Sequence, residues 1–92
     1  MVQEVHTLEL KYYVAYGTWR PEARTPETSS KAVEEWTKKV EESGLKIVFW
    51  GSPYGVSEDA IFVYKGTAED YMKLAPMDKP YTADRTHMVL TW

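Results

Sequence analysis

Residues 45–65 read Leu-Lys-Ile-Val-Phe-Trp-Gly-Ser-Pro-Tyr-Gly-Val-Ser-Glu-Asp-Ala-Ile-Phe-Val-Tyr-Lys. Two runs rich in β-branched and aromatic residues flank Gly51, Ser52, Pro53, Tyr54 and Gly55, the pattern of two strands joined by a long-looped hairpin. Leu45, Ile47 and Phe49 alternate with Val48 and Trp50, and Ile61 and Val63 alternate with Phe62 and Tyr64. Both faces of the hairpin are therefore apolar, and a sheet apolar on two sides must be covered on two sides.

Upstream, Val5 to Trp19 alternates with period two. Leu8, Leu10, Tyr12, Val14 and Tyr16 share one side of this first strand, and Glu9, Lys11, Tyr13 and Ala15 the other. Gly17 marks a bulge or the end of pairing. Arg20 to Ser30 is a polar connection in which Thr25 and Pro26 can open a helix, with Ser29 or Ser30 as later caps. From Lys31 to Ser43 the helix is plain: Val33, Trp36 and Val40 form one stripe, and Gly44 suits a left-handed cap. Downstream of the hairpin, Thr67 caps a short helix from Ala68 to about Ala75 that is expected to bury Tyr71, Met72 and Leu74 or Ala75. Met77 to Arg85 reads as a loop. Thr86 to Trp92 closes the chain as a strand, with Met88, Leu90 and Trp92 alternating with His87, Val89 and Thr91.

The order strand, helix, strand, strand, helix, strand within 92 residues predicts one α+β domain of ferredoxin-like type, residues 1–92. Its four-stranded antiparallel sheet carries two helices on one face, with the first and third strands central. The expected helix-facing set is Leu8, Leu10, Tyr12, Leu45, Ile47, Phe49, Ile61, Val63, Met88 and Leu90. That leaves Tyr13, Val48, Trp50, Phe62, Tyr64 and Val89 on the far face, with the parity of residues 60–65 open because both sets are apolar. Six large apolar side chains left in water forgo on the order of 10 kcal/mol, as much as a domain's whole net stability. A patch of that size marks an interface, and a second copy is the economical cover.

In element order and face chemistry the chain resembles the dimeric α+β barrel superfamily, which packs two ferredoxin-like sheets face to face. The resemblance implies dimerisation through the far sheet face and a pocket between helices and sheet or within the barrel. It also implies, at family level, a monooxygenase- or isomerase-like activity on an aromatic or polyketide-like substrate. Members of the haem-degrading branch use an Asn, a Trp and a His; this chain has no Asn, and no residue is carried over from them.

Composition narrows the chemistry. There is no cysteine, which removes disulfides and thiolate chemistry, and the two histidines are not at HxH or HxxxH spacing, so neither a metal nor another cofactor is expected. A net charge of −3 argues against nucleic acid or anionic membrane as partner. No apolar run approaches a membrane span and no signal segment is evident, so a cytoplasmic location is expected. The absence of Asn and Cys, with Gln3 the one glutamine, is a thermophile-like bias. An RNA-recognition reading shares the element order and would use Phe62 and Tyr64, but Ser57, Glu58 and Asp59 stand where basic residues are needed.

Two groups of residues are candidates for a site. His87, brought by antiparallel pairing beside the Glu9 to Tyr13 stretch, could form an acid–base set with Glu9 and Tyr13. The simpler alternative is a rim histidine beside a Glu9–Lys11 ion pair. A ligand-binding set comprises Lys11, Trp50, Tyr54, Phe62 and Tyr64, with the glycines at 51 and 55 letting backbone approach a ligand. Arg20 and Arg24 could meet an anionic substrate or simply solubilise their loop. The competing functional class is a non-catalytic structural or interaction protein whose aromatic sheet face serves only oligomerisation.

Overall fold

The computed structural model describes residues 11–89. Strands β1 (Lys11–Trp19), β2 (Lys46–Gly51), β3 (Ala60–Gly66) and β4 (Tyr81–Val89) form one sheet in the order β2-β3-β1-β4, every adjacent pair antiparallel. Helices α1 (Pro26–Glu42) and α2 (Ala68–Met72) complete the α+β architecture, preceded by a 3₁₀ turn at Pro21–Ala23. The strand order fits a ferredoxin-like arrangement, with β1 and β3 central as expected.

The helix boundaries follow from local chemistry. Thr25 Oγ1 accepts the amide of Thr28, while Thr28 Oγ1 accepts the amide of Thr25. This reciprocal cap starts α1 at Pro26, earlier than the Ser29 or Ser30 alternative. At the other end Gly44 takes φ +100°, its amide bonds Glu41 O, and Leu45 N bonds Val40 O, closing the helix in a Schellman turn. The stripe Val33, Trp36 and Val40 is buried as the spacing predicts. Thr67 Oγ1 caps α2 through the Asp70 amide, but α2 stops at Met72. Tyr71 and Leu74 pack inward, whereas Met72, expected inside, is 67% exposed.

Three expectations are corrected. The first concerns parity. Tyr13, Ala15 and Trp19 of β1, Phe62 and Tyr64 of β3, and Tyr81 of β4 form the helix-covered core, with Trp50 packed against it. Tyr12 and Phe49, expected inside, lie on the other side, while Tyr13 and Trp50 move from the far face to the core; the open parity of residues 60–65 resolves with Phe62 and Tyr64 inside and Ile61 and Val63 on the far side. Ile47, Leu45, Met88 and Val89 keep the sides assigned to them. The second is a bulge. Ile47 opposes Tyr64 and Phe49 opposes Val63, so Val48 is an extra residue and Ile47 and Trp50 both reach the helix side. The third is the start of β4 at Tyr81, inside the expected loop. The β1–β4 register slips between Tyr16 and Gly17, where Asp84 is the additional residue. Gly17 is required here because a Cβ would stand 2.6 Å from the Tyr81 ring and closer still to Thr82 O.

Leu8, Glu9, Leu10 and His6, and the closing residues Leu90 and Trp92, lie outside the described residues. Among those described, no helix is long and apolar enough to cross a membrane.

Candidate functional site

The helix-covered side is an aromatic core threaded by one hydrogen-bond chain. Trp36 Nε1 donates to Tyr64 Oη at 2.9 Å, and Tyr64 Oη lies 2.8 Å from Tyr81 Oη. Phe62 stacks on Tyr81 at 4.6 Å between centroids, and Tyr13 stacks on Tyr71 of α2 at 4.4 Å. Burial pushes the Tyr64 and Tyr81 phenols far above their ordinary range, so near neutral pH these hydroxyls are hydrogen-bonding groups rather than bases. The Tyr13 phenol is raised by burial and by its Tyr71 neighbour; its Oη is buried without a partner among the described residues.

The far side carries a charged cluster next to apolar surface. Arg85 Nε and Nη2 donate to the two carboxylate oxygens of Glu58 at 2.8 and 3.3 Å, a bidentate pair tying the β2–β3 loop to β4. The same guanidinium lies 4.2 Å over the Tyr16 ring and approaches His87 Nε2 at 3.0 Å. Arginine cannot accept, so in that contact Nε2 of His87 is the acceptor. The Arg85 hydrogen bonds hold the Glu58 carboxyl below its usual range, and Glu58 in turn raises Arg85.

A third feature is a cleft at the end of β1, of about 430 Å³, lined by Trp19, Arg24, Ser29, Trp50, Ser52 and Asp59 among others. Its origin is a difference in strand length. β3 begins at Ala60, opposite Gly17, so the last residue of β1, Trp19, has no β3 partner. Side chains replace the missing strand: Asp59 Oδ1 accepts the Trp19 amide at 3.0 Å, and Arg24 Nε donates to the Trp19 carbonyl at 3.3 Å. Trp19 and Trp50 meet edge to face at 5.8 Å, and Trp50 stacks on Phe62 at 6.1 Å.

The acid–base set is not assembled by the described residues. His87 pairs with Val14 and faces away from the helices, while Tyr13 pairs with Met88 and Tyr64 on the helix side; Glu9 lies outside the described residues. The ligand set also divides. Phe62 and Tyr64 are fully buried core, Tyr54 is fully exposed in the β2–β3 loop, and Lys11 stands at the start of β1 on the parity of Tyr13. Trp50 alone of that set lines the Trp19 cleft, where Arg24 joins it. Arg20 is turned elsewhere, donating from Nε to Lys79 O at 2.6 Å. Sequence reasoning missed Trp19 and Arg85 and weighed Asp59 only as part of the Ser57 to Asp59 stretch. Their only signals were an aromatic residue closing a strand, an acid opening one, and an arginine inside an apparent loop. Among the described residues no three His, Asp or Glu side chains gather as a metal site requires.

No family model matches the chain, and no curated protein or solved structure proves similar to it.

Proposed function

We propose that the protein is a homodimeric α+β barrel protein that binds a small, partly apolar molecule. The observation that carries this reading is the uncovered far face. Tyr12, Val14 and Tyr16 of β1, Phe49 of β2, Ile61 and Val63 of β3, and Val89 of β4 share one side of the sheet, opposite both helices. Phe49 is 54% and Val89 43% exposed, Tyr12, Val14, Tyr16 and Ile61 are half-buried, and Val63 is buried beneath them. A contiguous patch of this kind is a protein interface by default.

Charge favours a second copy as the cover. Lys46 and Lys65 oppose each other at one end of the face, an unfavourable like-charge pair. Asp84 stands at the other end, beyond Tyr16, with Glu58 already paired to Arg85 beside it. A twofold axis across the strands turns the lysines of each copy toward this acidic end of the other, the self-complementarity an isologous interface needs. Binding is favoured over conversion because Tyr13 and His87 are separated by the sheet. The cleft at Trp19 lies on the helix side, so pairing through the far face leaves it open.

The purely structural reading has one observation in its favour: Tyr64 is wholly buried, with its hydroxyl hydrogen-bonded to Trp36 and Tyr81. Replacing Val14, at the centre of the far face, with Lys tests the association directly. The expected result is loss of the dimer mass with the near-ultraviolet aromatic spectrum retained; a dimer that survives Val14→Lys contradicts the proposed face. A thermal-shift screen of small aromatic compounds then separates a binding protein from an assembly protein.

A further inference from the structure

The cleft beside Trp19 holds an unusual pair of groups. Arg24 and Asp59 are both suspended from the backbone of one residue, Trp19, and each spends a single atom on it: Nε from Arg24 and Oδ1 from Asp59. Among the described residues the Nη groups of Arg24 and Oδ2 of Asp59 have no hydrogen-bond partner, and the two side chains form no ion pair with each other. Opposite charges therefore line one cleft without neutralising one another, beside the half-buried Trp50 indole. The volume, about 430 Å³, falls in the range of small-molecule sites, and an aromatic wall faces a polar one of Arg24, Asp59 and serines.

From this arrangement we infer that the cleft binds a small aromatic zwitterion of α-amino-acid type. The ligand's carboxylate takes the two Nη groups of Arg24, a fork that matches a planar carboxylate. Its ammonium takes Asp59 Oδ2. Its ring lies against Trp50, which Phe62 and the Trp19 edge hold in place. A ligand with both charges is favoured over a simple acid because an anion alone would pair with Arg24 but leave the neighbouring Asp59 carboxylate unpaired. Ser52 and Ser30 at the same cleft supply hydroxyls for the ligand's remaining polar atoms.

The inference rests on the small-molecule reading above, and four probes keep the two apart: L-phenylalanine, 3-phenylpropionate without the ammonium, phenethylamine without the carboxylate, and benzyl alcohol with neither. Binding is read by calorimetry and by the change in intrinsic tryptophan fluorescence, to which Trp19 and Trp50 contribute. L-phenylalanine is expected to bind at least roughly 10-fold more tightly than each of the other three, since each lost charged hydrogen bond costs about that factor or more. Arg24→Gln should weaken L-phenylalanine and 3-phenylpropionate by roughly 10–100-fold while sparing phenethylamine. Asp59→Asn, which keeps the oxygen that accepts the Trp19 amide, should weaken L-phenylalanine and phenethylamine while sparing 3-phenylpropionate. Equal binding of benzyl alcohol or 3-phenylpropionate and L-phenylalanine overturns the zwitterion assignment but leaves a small-molecule cleft. No binding of any probe by the folded protein overturns both.

Discussion

The two faces of this sheet draw on the same residue classes and resolve them differently. On the helix side, aromatic rings stack within 4.4 to 6.1 Å, and the hydroxyls of Tyr64 and Tyr81 share a chain with Trp36. On the far side, Tyr12 and Tyr16 lie under the charged ends of Lys65 and Arg85, and Phe49 and Val89 meet solvent. Hydrophobicity is therefore not what distinguishes inside from outside in this fold. The covered face is the one whose Tyr64 and Tyr81 hydroxyls join Trp36 in one buried chain and whose small residues, Ala15 and Gly17, leave room for Tyr81 and the helices, although Tyr13 Oη has no partner among the described residues. The uncovered face keeps its polar groups at the edges, where a partner or water can reach them.

Matched substitutions across the two faces break or sharpen this contrast. Phe62→Ala empties the centre of the covered face and should cost about 3–5 kcal/mol of unfolding free energy, measured by denaturant titration. Phe49→Ala, on the opposite face and 54% exposed, should cost far less within one chain and show its effect on dimer dissociation instead. Equal losses for the two would erase the distinction between the faces. Tyr64→Phe removes the oxygen that Trp36 donates to and leaves a buried indole N–H unpaired, a loss of roughly 1–3 kcal/mol.

Alkaline titration probes the same chain without mutation. The Tyr64 and Tyr81 phenols are raised above the ordinary value of 10.0 by burial, so the unfolded chain gives up protons first as pH rises. Stability is full below about pH 10 and falls above it, and Tyr64→Phe should flatten that fall. The smallest effect belongs to the exposed Glu58–Arg85 pair. The Glu58 carboxyl is depressed, so its contribution is present above the ordinary carboxylate range and is lost as pH falls through its lowered value. Glu58→Gln should remove this acid dependence, read as the difference in unfolding free energy between neutral and acidic buffer. An unchanged acid profile in Glu58→Gln would show that the pair contributes nothing to folding stability.

Much of the fold was legible in the order of patterns. The Val33, Trp36 and Val40 stripe, the Thr25-Pro26 start and the Gly44 stop are local signals, and local geometry decides them. Parity was not legible, because Tyr12 and Tyr13, or Ile61 and Phe62, are equally apolar and alternation alone cannot rank them. Val48 made the problem worse: a bulge moves Trp50 onto the side of Ile47, and nothing in the run Ile47 to Trp50 announces it. The site was legible in halves. Trp50 and Arg24 stood out as an aromatic beside a glycine and a cation in a loop, whereas Trp19 and Asp59 join them only because β3 starts two residues short of β1. Strand-length mismatch is a property of the assembled sheet.

The central claim is that a second copy covers the far face. Sedimentation equilibrium of the unmodified chain at micromolar concentration measures it without any assumption about ligand. The account predicts twice the chain mass, falling to a single chain in Val14→Lys. A monomer at those concentrations, with Tyr12, Phe49 and Val89 left to water, would contradict it.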